Sequence, residues 1–370
     1  MYETLRLQSA IQTLDPLGAD RVFAHLPRYN AEHDVRSILM ATRALLPSLQ
    51  VVMHFDVPHA HAAMRDLGML MSALKRFGWE PCQALPELEP VLRGLGEKLR
   101  TVPRDTILDY GLWNPDEPRR RKYTTTADEQ VIIESVQTGL HSLYLAIAAF
   151  EQLFVVELLS SPFLSLCQRI NLHLEGMVAA IVASMKHVSP QVFAHLLRVF
   201  WEPIAIGGRS YDGAGAAQLP LCLIDHWLWA SDRADSVYTT YCEHTVRYLD
   251  GELQSLYEAS RHRPSLVTQL CAERFRHDHL TPLQKEAVLA VYQLFTTLIK
   301  FRQPHKKLAY VTYEERYKMD AHAIGSSGHR PEILAHIIDL TWQARASLQE
   351  HTATPPDEKI LRIIDAIVSK

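Results

Sequence analysis

The stretch from Leu283 to Tyr313 carries the longest helical pattern of the chain. Along one face Val291, Leu294, Leu298, Phe301, His305, Leu308 and Thr312 follow in steps of three and four, the apolar stripe of a buried helix. A histidine therefore stands where a core residue is expected, with Pro304 immediately before it. Proline removes one ladder hydrogen bond and crowds the carbonyl four residues back, here Lys300, so the helix is expected to bend. Arg302 precedes the histidine by nearly a turn, and Lys306 and Lys307 follow it. Two readings fit. An inward histidine is commonly a core residue whose nitrogens meet a backbone carbonyl or water. A neutral imidazole in an apolar pocket is also the usual proximal ligand of haem iron, and the flanking cations would then face the propionates. Spacing alone leaves both open.

The chain is long enough for one large core or two domains, and 22% charged with 47% hydrophobic residues is an ordinary globular balance. A formal charge of −4 argues against nucleic acid as a partner. The basic run Arg119–Lys122 sits between Pro118 and a run of threonines, which reads as a solvated loop. No stretch reaches the roughly 18 consecutive apolar residues of a membrane span, and the N-terminus lacks a basic region followed by an apolar one. Five scattered cysteines form no CxxC pair, which fits a reducing, cytoplasmic setting without a disulfide framework or a zinc site.

Nearly every periodic segment reads as helix, so the fold expected is all-α, a multi-helix bundle. Helices are expected over Leu5–Leu14, Asp34–Leu46, Ala60–Phe77 with Gly78 as its stop, Asp128–Leu159, Phe163–His187, Ala216–Ala230, Tyr238–Tyr257, Pro264–His277, Thr281–Tyr313, Pro331–Leu348 and Asp357–Val368. Ser189-Pro190 opens another, with serine at the N-cap and proline in the first turn. Ser48 to Val57 alternates weakly and reads as a short strand. Trp113 to Thr126, rich in proline and charge, reads as a linker. It divides the chain into a smaller N-terminal helical region, 1–125, and a larger helical one, 126–370.

Two glycine loops stand out, Gly207–Gly215 and Ala323–Gly328. Neither follows a clear strand, so neither is a dinucleotide fingerprint, and no Gly-Lys-Ser/Thr marks a P-loop. Small residues let a backbone approach a ligand closely and free its N–H groups to donate, although a plain helix connection has the same composition. His54, Asp56, His59 and His61 could supply two histidines and a carboxylate to a metal, but such a site calls for a rigid sheet. Asp225-His226 reads as a packed pair or as support for a neighbouring ligand. No Gly-x-Ser-x-Gly elbow supports serine nucleophile chemistry.

Ser189–Phe193 (SPQVF), Glu202–Ala216 (EPI, then GG-x-SY and G-x-GA), Ala62–Gly68 (AAMRDLG), Phe301–Ala309 (FR-x-PH-x-KLA) and Ile324–Ser326 (IGS) together resemble the monodechloroaminopyrrolnitrin synthase family, haem enzymes of pyrrolnitrin biosynthesis. The likeness runs from about Asp15 to about Leu348 with the motifs in order. It extends more broadly to the indoleamine and tryptophan 2,3-dioxygenases. The resemblance implies an all-helical haem b protein with His305 as the axial iron ligand and Arg302 reaching a propionate. It places Gly213, Ala214 and Gly215 against the haem, and Tyr313, Gly325, Ser326 and Ser327 on the substrate side. The second loop reads Gly-Ser-Ser-Gly where the family has Gly-Ser-Gly-Gly, so Ser327 adds a side chain there.

By the same resemblance the chain is an enzyme that oxidises or rearranges tryptophan or a derivative such as 7-chlorotryptophan, with dioxygen or peroxide as co-substrate. A reductant protein is a further partner, the chain being a monomer or homodimer. No acid–base residue is assigned. The alternatives are a ring-opening tryptophan 2,3-dioxygenase and a haem-binding sensor without turnover.

Overall fold

The computed structural model describes residues 2–274, 279–317 and 331–350. Helix follows helix, and among the described residues the only strands form one two-stranded hairpin. The N-terminal part contains α1 (Glu3–Thr13), α2 (Val35–Leu45), α3 (Val57–Arg76) and α4 (Leu88–Leu99). Asp34 caps α2 and Asp56 caps α3, each accepting from the backbone N–H three residues on. Gly78, at φ +81°, follows the end of α3 in the left-handed conformation that glycine adopts without cost. The expected strand at Ser48–Val57 is instead a helix, Leu49–His54, because the Ser48 hydroxyl takes the Val51 N–H and starts a helical turn. Every residue of α3 from Ala60 to Leu74 is buried, so this helix lies in the interior rather than on it.

Two long helices follow, α5 (Ala127–Leu153) and α6 (Ser161–His187), capped by Thr126 and Ser160. The Ser189 hydroxyl accepts from the Val192 N–H, as the sequence pattern required, but the segment it opens tightens and loosens. It runs through a π turn at Phe193–Leu197 and a 3-10 turn at Arg198–Trp201. The hairpin β1 (Ile204–Ile206) and β2 (Arg209–Tyr211) comes next, with Ile204 opposite Tyr211. Gly207 and Gly208, at φ +57° and +74°, form its two-residue turn, which demands positive φ. The first glycine loop is thus partly a hairpin turn, an element too short to show as periodicity.

Residues 221–230 are a helix whose second half is a π turn, and α7 (Ser236–Val246), α8 (Gly251–Ser260) and α9 (Leu266–Arg274) follow. The single helix expected over Tyr238–Tyr257 is two, since the Asp250 carboxylate accepts the Leu253 N–H and caps a new start at Gly251. The longest, α10 (Pro282–Tyr317), runs through Pro304 without a break, and α11 (Glu332–Glu350) is the last described element. The terminal helix expected over Asp357–Val368 lies outside the described residues.

α6 packs between α5 and α10, and α10 packs in turn on α11. α5 is long and apolar enough to cross a membrane by length and composition, and twelve of its residues are buried inside this stack. The largest apolar cluster draws on both sides of residue 125, from Tyr2, Leu112 and Trp113 as well as Phe150, Phe295 and Leu348.

The segment expected as a solvated linker is packed: Trp113, Asn114, Arg121, Tyr123 and Thr124 are buried. Each residue of its basic run has an acidic partner. Arg119 pairs with Asp20 at 2.9 Å, Arg120 with Glu134 at 2.8 Å and Lys122 with Glu117 at 2.9 Å. Arg121 pairs with Asp20 at 2.7 Å and with the fully buried Asp66 at 3.1 Å, while Arg65 grips the same Asp66 at 2.8 Å. Burial by itself raises the Asp66 pKa, but the two guanidiniums outweigh it and hold the carboxyl below its usual range. Partners lying 55 residues back at Asp66 and about a hundred back at Asp20 explain why local polarity misread this stretch.

Removing Asp66 would leave two guanidiniums buried without their shared anion, which costs about 3–5 kcal/mol. Asp66→Ala is therefore expected to lose that much in urea unfolding, and Arg120→Ala, whose Glu134 partner is exposed, less than about 1 kcal/mol. Equal losses would show that the clasp is no more than a surface network.

Candidate functional site

The site is built where α5, α6 and α10 converge on the 193–217 segment. A partly open cavity of about 210 Å³ lies among Ile132 and Val136 of α5, Ile181, Ser184 and Val188 beyond it, and His305, Leu308, Ala309, Thr312 and Tyr313 of α10. Arg198, Trp201 and residues Ala214 to Ala217 form another wall, with Ile107, Tyr110, Tyr241 and Leu334 closing the rest. The lining is predominantly apolar with a few polar tips, the usual character of a small-molecule site.

His305 is half-buried and lines this cavity, with its ring 5.6 Å from that of Phe301. Burial, helped by the neighbouring Arg302 charge, pushes its pKa down to about 4. The imidazole is thus neutral across the physiological range and keeps a ring-nitrogen lone pair. Among the described residues no group of three His, Cys, Asp or Glu side chains could hold a metal ion. A metal on His305 would need its remaining ligands from a prosthetic group rather than from this set.

Arg302, expected at a propionate, does not line the cavity. It is buried and forms an ion pair with Asp225, and it donates to the Thr341 hydroxyl at 2.7 Å. Burial alone would lower its pKa, but Asp225 beside it holds the guanidinium above its ordinary range. Asp225 also accepts from the Trp229 indole at 3.0 Å and the Tyr238 hydroxyl at 3.3 Å. Within Asp225-His226 the two side chains diverge, for His226 turns to the Ser260 carbonyl at 3.2 Å. The cation on the cavity wall is Arg198, which carries an ion pair with Glu202 at 3.6 Å. Nothing in the sequence pattern singled it out.

Of the first loop, Ala214 and Gly215 line the cavity and Gly213 does not. Gly213 has a different task. A Cβ there would meet the Trp201 backbone at 2.5 Å, so only glycine lets the loop cross that chain. The Gln218 amide then holds the crossing, donating to the Gly213 carbonyl at 3.0 Å and accepting the Ile107 N–H at 2.9 Å. Tyr313 lines the cavity, while Gly325, Ser326 and Ser327 lie outside the described residues.

Sequence reasoning missed the Trp201 and Tyr110 wall. Trp201 packs edge-on to Tyr110 at 5.3 Å, and its indole N–H is buried without a partner, as is the Thr312 hydroxyl. The Tyr110 hydroxyl donates to Glu129 at 3.5 Å, and burial raises the Glu129 carboxyl to about 7. Near neutral pH that group both holds and releases a proton. The four-residue metal cluster does not assemble. His59 caps back onto Asp56 at 2.7 Å, His54 bonds the Gln50 carbonyl, and His61 is buried on the Trp113 ring at 3.9 Å.

Compared with known families, residues 13–363 match the family model described as Monodechloroaminopyrrolnitrin synthase PrnB.

Two outcomes follow from this geometry. A histidine with a pKa near 6.5 unfolded and about 4 folded binds fewer protons when folded, so its contribution to stability is lost as pH falls from about 6.5 through 4. Between pH 7 and 4 the wild type is expected to lose about 3 kcal/mol more in urea unfolding than His305→Gln. Equal losses would place His305 in water. Gly213→Val is expected to displace the Ala214–Gly215 wall and to destabilise by more than about 2 kcal/mol, seen as a lowered urea midpoint.

Proposed function

The chain belongs to the monodechloroaminopyrrolnitrin synthase family, a family of enzymes, and on that premise we propose that it is a haem b-dependent enzyme that oxidises or rearranges tryptophan or a derivative such as 7-chlorotryptophan. The observation that carries the reading is His305, a neutral imidazole facing an apolar pocket in which, among the described residues, no side-chain set completes a metal site. A planar macrocycle supplies the ligands that the protein lacks, and it wants apolar walls on either side. When bound, haem supplies the oxidative chemistry, with dioxygen or peroxide as co-substrate.

The residues of the chain then divide the remaining work. His305 would bind the iron through its free lone pair. Arg198, which lines the cavity, would supply a cation to a propionate, the part the resemblance gave to Arg302. Ala214, Gly215 and Ala309 are small enough to leave room for an indole beside the apolar residues, which exclude water from it. Ser184, Thr312 and Tyr313 present hydroxyl groups to the ammonium and carboxylate of an amino-acid substrate. Burial raises the Tyr241 phenol above its usual pKa, so it stays protonated and donates. Glu129 holds a proton behind the wall and exchanges it through the Tyr110 hydroxyl. Arg302 has a positioning role: its ion pair with Asp225 fixes the rotation of α10, and so the direction of His305.

The test is the absorption spectrum of protein made in haem-replete cells, ferric and dithionite-reduced, with and without L-tryptophan, beside His305→Ala. A Soret band in the wild type that His305→Ala abolishes while its far-ultraviolet circular dichroism is unchanged is the expected result, and tryptophan should shift the band. Absence of haem from the folded wild type would overturn the cofactor, and a band indifferent to indole amino acids would overturn the substrate class. Product analysis then separates rearrangement from ring opening.

A further inference from the structure

We propose that the surface cleft between the end of α4, the β1–β2 hairpin and the end of α7 is a second binding site, one that takes a phosphate-class oxyanion. The cleft has two adjoining lobes of about 510 and 520 Å³, which share Arg100, Thr101, Pro103, Arg209 and Tyr211. Arg247 completes it from the end of α7. In a chain of formal charge −4, four exposed arginines from three separate elements line one groove: Arg93, Arg100, Arg209 and Arg247. Arg93 pairs with Glu89 at 3.8 Å, and among the described residues the other three pair with no carboxylate. Among the described residues Arg100 reaches only the Ser255 hydroxyl, at 3.4 Å, and Arg209 and Arg247, which line the cleft, form no ion pair. Glu97 is the one carboxylate that lines the cleft without a basic partner, so the local balance stays positive.

The arrangement is held by the fold rather than by chance contact. Arg100 ends α4 in the left-handed conformation, at φ +54°, which costs a non-glycine residue energy and aims it out of the helix line. One side chain frames two of the cations: the Gln254 amide donates to the carbonyls of Arg100 at 3.2 Å, Arg247 at 3.4 Å and Leu249 at 2.7 Å. The floor is set equally firmly. Asp212 holds His244 at 2.7 Å, and its backbone N–H donates to the Tyr248 hydroxyl at 2.9 Å, so that the Tyr248 O–H is left to donate elsewhere. Gathered guanidiniums repel one another, and an oxyanion with several acceptor oxygens relieves that repulsion while matching their planar, forked donors.

Position gives the site a consequence. The chain that carries Arg209 continues through Asp212 and Gly213 to Ala214 and Gly215 in the wall of the His305 cavity. An anion held on Arg209 therefore steadies that wall from outside. The inference stands on the cleft alone and is independent of haem.

Binding of inorganic phosphate and of pyrophosphate to the full-length protein, measured by calorimetry at low and at physiological ionic strength, tests it. The expected result is saturable one-to-one binding, weakened about tenfold or more by Arg209→Glu and by Arg247→Glu and unaffected by Arg28→Glu, a reversal at an exposed arginine outside the cleft. Pyrophosphate should also slow amide exchange in residues 209–215. No saturable binding of either anion, or equal weakening by Arg28→Glu, would overturn the proposal and leave only a diffuse field. Binding of an acidic protein with no binding of small anions would overturn it as well. Arg209→Lys serves as a second variant: it keeps the charge and the fold, and loss of the forked donor alone should weaken pyrophosphate measurably.

Discussion

The buried ion pair between Arg302 and Asp225 is the interaction on which the rest of the site depends. It ties α10 to the 221–225 helix, and through the Thr341 hydroxyl to α11, so three elements meet at one guanidinium. A buried pair of this kind adds little net stability over a well-packed apolar contact, because both charges have left water. What it supplies is orientation. Arginine is three residues from His305 on the same helix, so fixing one side chain to the interior fixes the angle at which the other meets the cavity. The same guanidinium contributes to holding the imidazole neutral, since a second positive charge beside it is disfavoured.

A second polar constraint operates in the N-terminal third. Arg65, Arg121 and Asp66 are fully buried together, and the backbone around them is stitched by Asn114, which bonds the Tyr110 carbonyl and both polar groups of Arg121's backbone. This clasp carries the chain from α1 and α3 to the start of α5, and it sets Tyr110 and Tyr123 beside the cavity wall. Glu129, bonded by the backbone of Tyr123 and Thr124, is the point where the clasp and the wall join. Fold and site are thus linked through buried carboxylates rather than through apolar packing alone.

Most of the helical framework was legible from local signals because those signals are local in origin. Asp34, Asp56, Ser160 and Ser189 cap helices through backbone N–H groups three residues away, and the apolar periods of α5, α6 and α10 were set by their own sequences. Where competing local structure was finer than a helical turn, the reading failed. Ser48 capped a helix where alternation suggested a strand, Asp250 split one helix into two, and Gly207-Gly208 closed a hairpin of three-residue strands.

The site divides along the same line. That His305 faces inward and that the chain is all-α followed from the sequence by itself, because a helical stripe carries its direction in its own spacing, whereas the places of Ala214, Gly215 and Tyr313 came only from the family resemblance. Only the tertiary structure decided that Arg302 turns to Asp225 rather than to the cavity and that Arg198 takes the wall. It alone decided that Gly213 serves a backbone crossing, and that Arg119–Lys122 is a clasp rather than a solvated loop. In each case the deciding partner lies far along the chain, and a charge or a glycine has no meaning until the group it must approach has been brought to it.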